Sequence, residues 1–133
     1  MNDKHFDWRA DSLPEIDAVE VVDLEEVEPL TGSDYMSAAT LAPTVRVSGS
    51  AAKTIAALWR SLPAGSQARC HDPPFGLRFF LGDKLVAEAS LCWMCNNVVG
   101  GTWEGTFWFE FDGEAPGSLE LLAALRTEIG KPQ

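Results

Sequence analysis

Three cysteines and one histidine are the residues of this chain best suited to metal or redox chemistry. Cys92 and Cys95 are separated by two residues, and Cys70 lies directly before His71. A Cys-x-x-Cys pair has the ligand spacing of a tetrahedral thiolate zinc site, to which a hairpin could bring Cys70 as a further ligand. The sequence therefore predicts zinc as a candidate cofactor, with the candidate ligands Cys70, His71, Cys92 and Cys95.

The zinc hypothesis lacks a good fourth ligand, which leaves other interpretations open. Adjacent side chains in an extended segment point to opposite faces, so His71 does not easily join Cys70, and His5 and Asp72 have no ligand spacing. A redox Cys-x-x-Cys normally opens a helix, but the residues after Cys95 do not form an amphipathic pattern. Free cysteines also pack as small hydrophobes. The sequence favours this last interpretation, with no cofactor.

The segment around the cysteines resembles a family of small, uncharacterised bacterial proteins. The family pattern is Cys-x-x-Pro-x-x-Gly-Leu followed, one hairpin later, by Cys-aromatic-x-Cys. Here the two parts read Cys70-His71-Asp72-Pro73-Pro74-Phe75-Gly76-Leu77 and Cys92-Trp93-Met94-Cys95. The resemblance covers residues 69–97 and implies a hairpin between the two cysteine segments. The family has no settled activity, so the resemblance implies no chemistry.

Turn residues and apolar periodicity predict a single α+β domain over residues 16–133, preceded by an irregular arm over residues 1–15. A loop is expected over residues 31–43. One amphipathic helix is expected between Ser50, its cap, and Leu62, and another between Ser118, its cap, and Ile129, ended by Gly130. Both helices should pack on one face of a mainly antiparallel sheet of about five strands. The predicted strands cover residues 18–24, 44–48, 75–81, 84–93 and 103–111.

The charge balance points away from nucleic acids and membranes and toward a basic protein partner. Twenty acidic residues face ten basic ones, a net charge of −10, which repels phosphate groups and attracts basic surfaces. Alternation places Trp108 on the polar side of the last strand, where an exposed tryptophan among acids is typical of an interface. Burial of Trp108 under Phe6 and Trp8 of the arm is the alternative. The candidate partner-binding residues are Glu20, Asp23, Glu25, Glu26, Glu28, Glu104, Trp108 and Glu110.

No established catalytic motif is present, so an enzyme is not expected. The first residues lack the apolar stretch of a signal peptide, and the odd number of cysteines does not fit a disulfide framework, so a cytoplasmic location is expected. We therefore expect a small acidic interaction protein that restrains a basic partner, as immunity proteins of bacterial toxin systems do. A thiolate zinc domain built on Cys70, Cys92 and Cys95 is the alternative.

Overall fold

The computed structural model describes residues 15–28, 35–66, 70–102 and 105–132. Most of the predicted arm, with Phe6 and Trp8, and the candidate residue Glu104 lie outside the described residues. The elements in chain order are β1 (Ala18–Asp23), α1 (Tyr35–Ala38), β2 (Thr44–Ser48), α2 (Gly49–Arg60), β3 (Phe75–Leu81), β4 (Lys84–Cys92), β5 (Asn97–Thr102), β6 (Gly105–Glu110) and α3 (Pro116–Ile129).

The strands form one open sheet in the order β2-β1-β3-β4-β5-β6, and every neighbouring pair is antiparallel. The α+β class is confirmed, with six strands in place of about five. The sequence did not predict strand β5, because its Gly100-Gly101 pair is atypical of strands. Gly100 is required there, since a Cβ would collide with the Ala89 Cβ and the Phe107 ring.

Helices α2 and α3 pack together over one side of the sheet, which we call the helix-covered face. Trp59 of α2 lies with its ring 5.0 Å from that of Phe79 and 6.0 Å from that of Phe109. Alternate strand residues and the apolar sides of both helices share one buried cluster, which includes Val19, Val21, Ile55, Leu77, Phe79, Ala89, Leu91, Phe111, Leu121 and Leu125. This arrangement agrees with the prediction that both helices pack on one face of the sheet.

The opposite side of the sheet, which we call the open face, is covered at one end by the residues around α1, and no other described element packs on it. There Met36 packs over Gly76, and a small buried cluster joins Val22, Leu24 and Ala39. Helix α1 lies within the predicted loop over residues 31–43 because a single turn of four residues has too little length to show helical periodicity. It forms a wall beside the open face.

The predicted helix caps are corrected at both N-termini. Helix α2 begins two residues earlier than expected, at Gly49 after Ser48, and no side-chain hydrogen bond caps it. Helix α3 begins at Pro116, whose fixed φ and missing N–H suit the first helical turn, so Ser118 lies inside the helix and is buried. The C-terminal prediction for α3 is confirmed, since Gly130 ends it with φ = 82°.

No helix within the described ranges is long and apolar enough to cross a membrane.

Candidate functional site

The three cysteines meet where β4 ends, but not as three free thiols. Cys70 and Cys95 form a disulfide, a pairing that sequence reasoning did not consider. Cys92 is a buried free thiol, and its Sγ accepts a hydrogen bond from the backbone N–H of Cys95 at 3.2 Å. Packing as a small hydrophobe therefore describes Cys92 alone. A disulfide is more typical of oxidising compartments, and the cytoplasmic location stays a prediction.

Zinc binding would require a different state of this cluster. Within the described ranges, no group of three or more His, Cys, Asp or Glu side chains is arranged to hold a metal ion. The disulfide occupies two of the candidate sulfurs, and both ring nitrogens of His71 are engaged by protein groups. The zinc hypothesis thus concerns a reduced form of the protein and stays a prediction.

His71 is the centre of a hydrogen-bonded network on the open face. Its Nδ1 lies 2.6 Å from Asn97 Oδ1, and its Nε2 lies 2.7 Å from Ser90 Oγ. Asn97 also donates from Nδ2 to the carbonyl oxygen of Cys70 at 2.7 Å. The Tyr35 ring of α1 meets the imidazole edge-on, 5.7 Å between centroids. The network thus connects the disulfide segment to β4, β5 and α1.

The partners of His71 determine where its protons lie. Asn97 Oδ1 can only accept, so Nδ1 carries a proton. Burial lowers the pKa of His71, and the hydrogen bond to Asn97 and the charge of Asp72 only partly oppose this effect. The ring is therefore neutral near pH 7, and its Nε2 accepts the hydroxyl proton of Ser90. Burial, together with the charges of Asp72 and Cys92, raises the pKa of Tyr35.

Ser90, His71 and Asn97 have the connectivity of a nucleophile, its base and an orienting group. Only 1% of Ser90 is exposed, however, and its hydroxyl also lies 3.3 Å from the carbonyl oxygen of Val99. No substrate carbonyl can reach the hydroxyl in this arrangement. The network therefore positions the Cys70–His71 segment and does not act as a nucleophilic centre.

A row of alternating charges crosses the middle of the open face from β2 to β4. Arg46 lies 3.6 Å from Glu20, and Arg78 bridges Glu20 at 3.6 Å and Glu88 at 3.2 Å. The register places these residues side by side on neighbouring strands. Glu20 is therefore paired within the sheet, and Glu88 is the acidic end of the row that faces β5.

A groove of about 440 Å³ continues from Glu88 across β5 and β6, between the sheet and α1. Its floor is low because Gly101 carries no side chain. Its lining is Met36, Ser37, Glu88, Val99, Gly100, Gly101 and Thr106. Trp108 pairs with Val99 in the register and is 58% exposed, so it stands beside the groove on the open face, as the alternation predicted.

The acidic segment of the candidate interface divides between surfaces. Lys131, after α3, approaches Asp23 at 2.8 Å and Glu25 at 2.7 Å, so these two acids are paired. Burial alone would lower the pKa of Lys131, but the hydrogen bonds to these acids outweigh it and raise the pKa. Glu26 and Glu28 line a second groove, of about 340 Å³, together with Asp23 and with Ala38, Leu41 and Ala42 at the end of α1.

Several residues of this region were not among the sequence-predicted candidates. Glu88 and Ser90 could have been found from strand alternation, which places them on the same side as Cys92. Asn97 and Tyr35 gave no such signal, because β5 was not predicted and Tyr35 belongs to a one-turn helix. Glu110 lies in register with Asn97 on the same face as Trp108.

Comparisons of the chain with protein-family models, with curated proteins and with solved structures found no match. The resemblance based on the cysteine segments therefore stays a prediction.

Proposed function

We propose that this protein binds and restrains a basic protein partner through the open face of its sheet, in the manner of an immunity-type inhibitor. The observation that carries the proposal is Trp108, 58% exposed on a sheet face that α2 and α3 leave uncovered. Tryptophan is among the residues that contribute most at protein interfaces, because its large ring buries much apolar area with little entropy loss.

The groove beside Trp108 supports a basic occupant. Glu88, which also pairs with Arg78 of the charge row, brings a carboxylate to it, while Ser37 and Thr106 contribute hydroxyl groups and Met36 and Val99 contribute apolar surface. The alkyl stem of an arginine or lysine fits apolar walls, and its charged head fits a carboxylate and an aromatic face. The lining thus matches a basic side chain better than an acidic one.

The net charge and the second groove support the same polarity. The chain carries a net charge of −10, which accelerates its encounter with a basic protein. This electrostatic attraction weakens as salt is added. Glu26 and Glu28 are exposed and border Leu41, so an acidic rim lies beside an exposed apolar side chain. Because α1 lines both grooves, a partner seated over α1 would contact the two acidic regions together.

The test is affinity capture from the native host with matched variants. Trp108→Ala removes the exposed ring of the open face. Leu119→Ala is the control, because it removes an apolar side chain of similar exposure, 49%, on α3. We expect the wild-type protein and Leu119→Ala to recover one basic protein in equal molar amount, and Trp108→Ala to lose it. A Trp108 anchor contributes about 2 kcal/mol or more, which is about a thirtyfold loss of affinity.

Three results would overturn the proposal. They are recovery of no stoichiometric partner, recovery of an acidic partner, and equal recovery by Trp108→Ala and the wild type. Stability must be measured for each variant, so that a loss of capture is not mistaken for a loss of folding.

Zinc binding by the reduced protein is the second candidate. It is favoured by the proximity of the three cysteines, since Cys70 is bonded to Cys95 and the backbone N–H of Cys95 donates a hydrogen bond to Cys92 Sγ. Elemental analysis of protein purified under reducing conditions without chelator tests it. A zinc content near one per chain that is lost in Cys92→Ser supports it, and a content near zero ends it.

A further inference from the structure

The free thiol and the disulfide belong to the same short segment, since Cys92 is three residues from Cys95, which is bonded to Cys70. Cys92 ends β4, and Cys95 lies in the turn that follows it. The Cys92 Sγ lies 3.2 Å from the backbone nitrogen of Cys95, the residue whose sulfur is bonded to Cys70. The contact places the free thiol beside the backbone of Cys95, the residue that forms one end of the disulfide.

The surroundings of the three sulfurs differ. Cys92 and Cys95 are buried, whereas Cys70 is exposed. The thiolate is the form of a cysteine that attacks a disulfide. Burial protects Cys92 from external reagents, but it does not prevent an attack within the cluster.

We propose that Cys92 exchanges intramolecularly with the Cys70–Cys95 disulfide. The thiolate of Cys92 attacks the Sγ of Cys95, a Cys92–Cys95 bond forms, and the Cys95–Cys70 bond breaks. The electron pair of the broken bond leaves with Cys70, which takes up the proton that Cys92 released. One disulfide and one thiol exist before and after, so the step needs no oxidant or reductant.

The exchange moves the free thiol from the interior to the surface. In the form described here the thiol belongs to Cys92 and is buried, whereas after exchange it belongs to the exposed Cys70. Cys70 then becomes a modification site for a soluble electrophile or for the disulfide of another molecule. Its segment stays attached to the open face through His71 and through the Asn97 bond to the Cys70 carbonyl.

The positions of trypsin sites make the two forms distinguishable by mass. Cleavage separates Cys70, in the peptide 70–78, from Cys92 and Cys95, which share the peptide 85–126. The Cys70–Cys95 form yields these two peptides linked. The Cys92–Cys95 form yields them unlinked, with an internal disulfide in the longer one.

The experiment incubates the native, oxidised protein with N-ethylmaleimide in the absence of reductant, followed by acid quench, digestion and mass analysis. We expect loss of the linked pair and appearance of label on Cys70. Cys92→Ser should keep the linked pair and take no label. The proposal is overturned if the linked pair persists in the wild type, if the label appears on Cys92, or if Cys70 is labelled equally in Cys92→Ser. If Cys92→Ser does not fold, the position of the label in the wild type alone decides between these outcomes.

Discussion

The two faces of the sheet differ, although the same six strands form both: one face is a buried apolar core and the other is a polar surface. On the helix-covered face, alternate residues are aromatic or aliphatic and are sealed by α2 and α3. On the open face, the same strands carry the charge row from Arg46 to Glu88, the His71 network and the exposed Trp108. Because successive strand residues point to opposite sides, one sequence can encode a core and a surface independently. The polar and exposed residues of the open face are not needed for the core, and they are therefore the candidates for function.

The largest expected difference is between two tryptophans. Trp59→Ala should lower the free energy of unfolding by about 3–5 kcal/mol, because it leaves a cavity against Phe79 and Phe109. Trp108→Ala should lower it by less than about 1 kcal/mol, since that ring is mostly exposed. Urea denaturation followed by circular dichroism measures both. Equal losses of unfolding free energy in the two variants would contradict the distinction between the faces. If Trp59→Ala does not fold, Trp59→Phe provides a milder test of the same ranking.

The disulfide gives the next effect, because it fastens the segment before β3 to the end of β4. It closes a loop with a sequence separation of 25, and constraining such a loop in the unfolded chain stabilises the fold by about 3 kcal/mol. Cys70→Ser should lose this amount, and reductant should lower the wild-type urea midpoint to that of the variant. An unchanged midpoint in reductant would contradict the prediction.

Adding one methyl group at each of two neighbouring glycines of β5 compares the packing on the two faces of the sheet. Gly100 points to the helix-covered face, where a Cβ would collide with Ala89 and Phe107, so Gly100→Ala should destabilise by about 1–3 kcal/mol. Gly101 points to the groove, where the nearest atom to a Cβ is the Gly105 carbonyl oxygen at 3.1 Å. This contact is tight, and Gly105 must shift by a few tenths of an ångström, so Gly101→Ala should cost about 1 kcal/mol, less than Gly100→Ala. The ranking is checked by thermal unfolding, and a reversed order would refute the assignment of faces.

The smallest expected effect is the pH dependence of the His71 network. The folded state lowers the pKa of His71 below its ordinary 6.5, so the unfolded chain takes up a proton first as pH falls. The stability contributed by neutral His71 is present above pH 6.5 and is lost as pH falls through and below that value. His71→Gln should flatten this part of the profile, measured by urea midpoints between about pH 5 and 8. Identical profiles for the two proteins would exclude this role.

The sequence predicted the helix-covered face better than the open face, for physical reasons. Apolar alternation in β3, β4 and β6 and the helical spacing of Ile55 and Trp59 are long, repeated signals of burial. The open face depends on contacts between segments far apart in the chain, such as His71 with Ser90 and Asn97, which no local pattern encodes. Even there, alternation correctly placed Trp108 on the polar side of its strand.

The cysteines show the same limit. Their Cys-x-x-Cys spacing directed attention to Cys92 with Cys95, whereas the disulfide joins Cys95 to Cys70. The pairing depends on the hairpin of β3 and β4, which brings residue 70 back to the turn after β4. Likewise, the acids from Glu20 to Glu28 were grouped as candidate partner-binding residues, but Asp23 and Glu25 pair with Lys131 while Glu20 belongs to the charge row of the open face.

The most direct measurement is amide hydrogen exchange of the protein with and without the basic partner obtained by affinity capture. Binding at the open face predicts slower exchange in α1, β5 and β6, centred on Val99 and Trp108, and unchanged exchange across the outer surfaces of α2 and α3. Protection concentrated on α2 and α3, with β5 and β6 unchanged, would contradict the account.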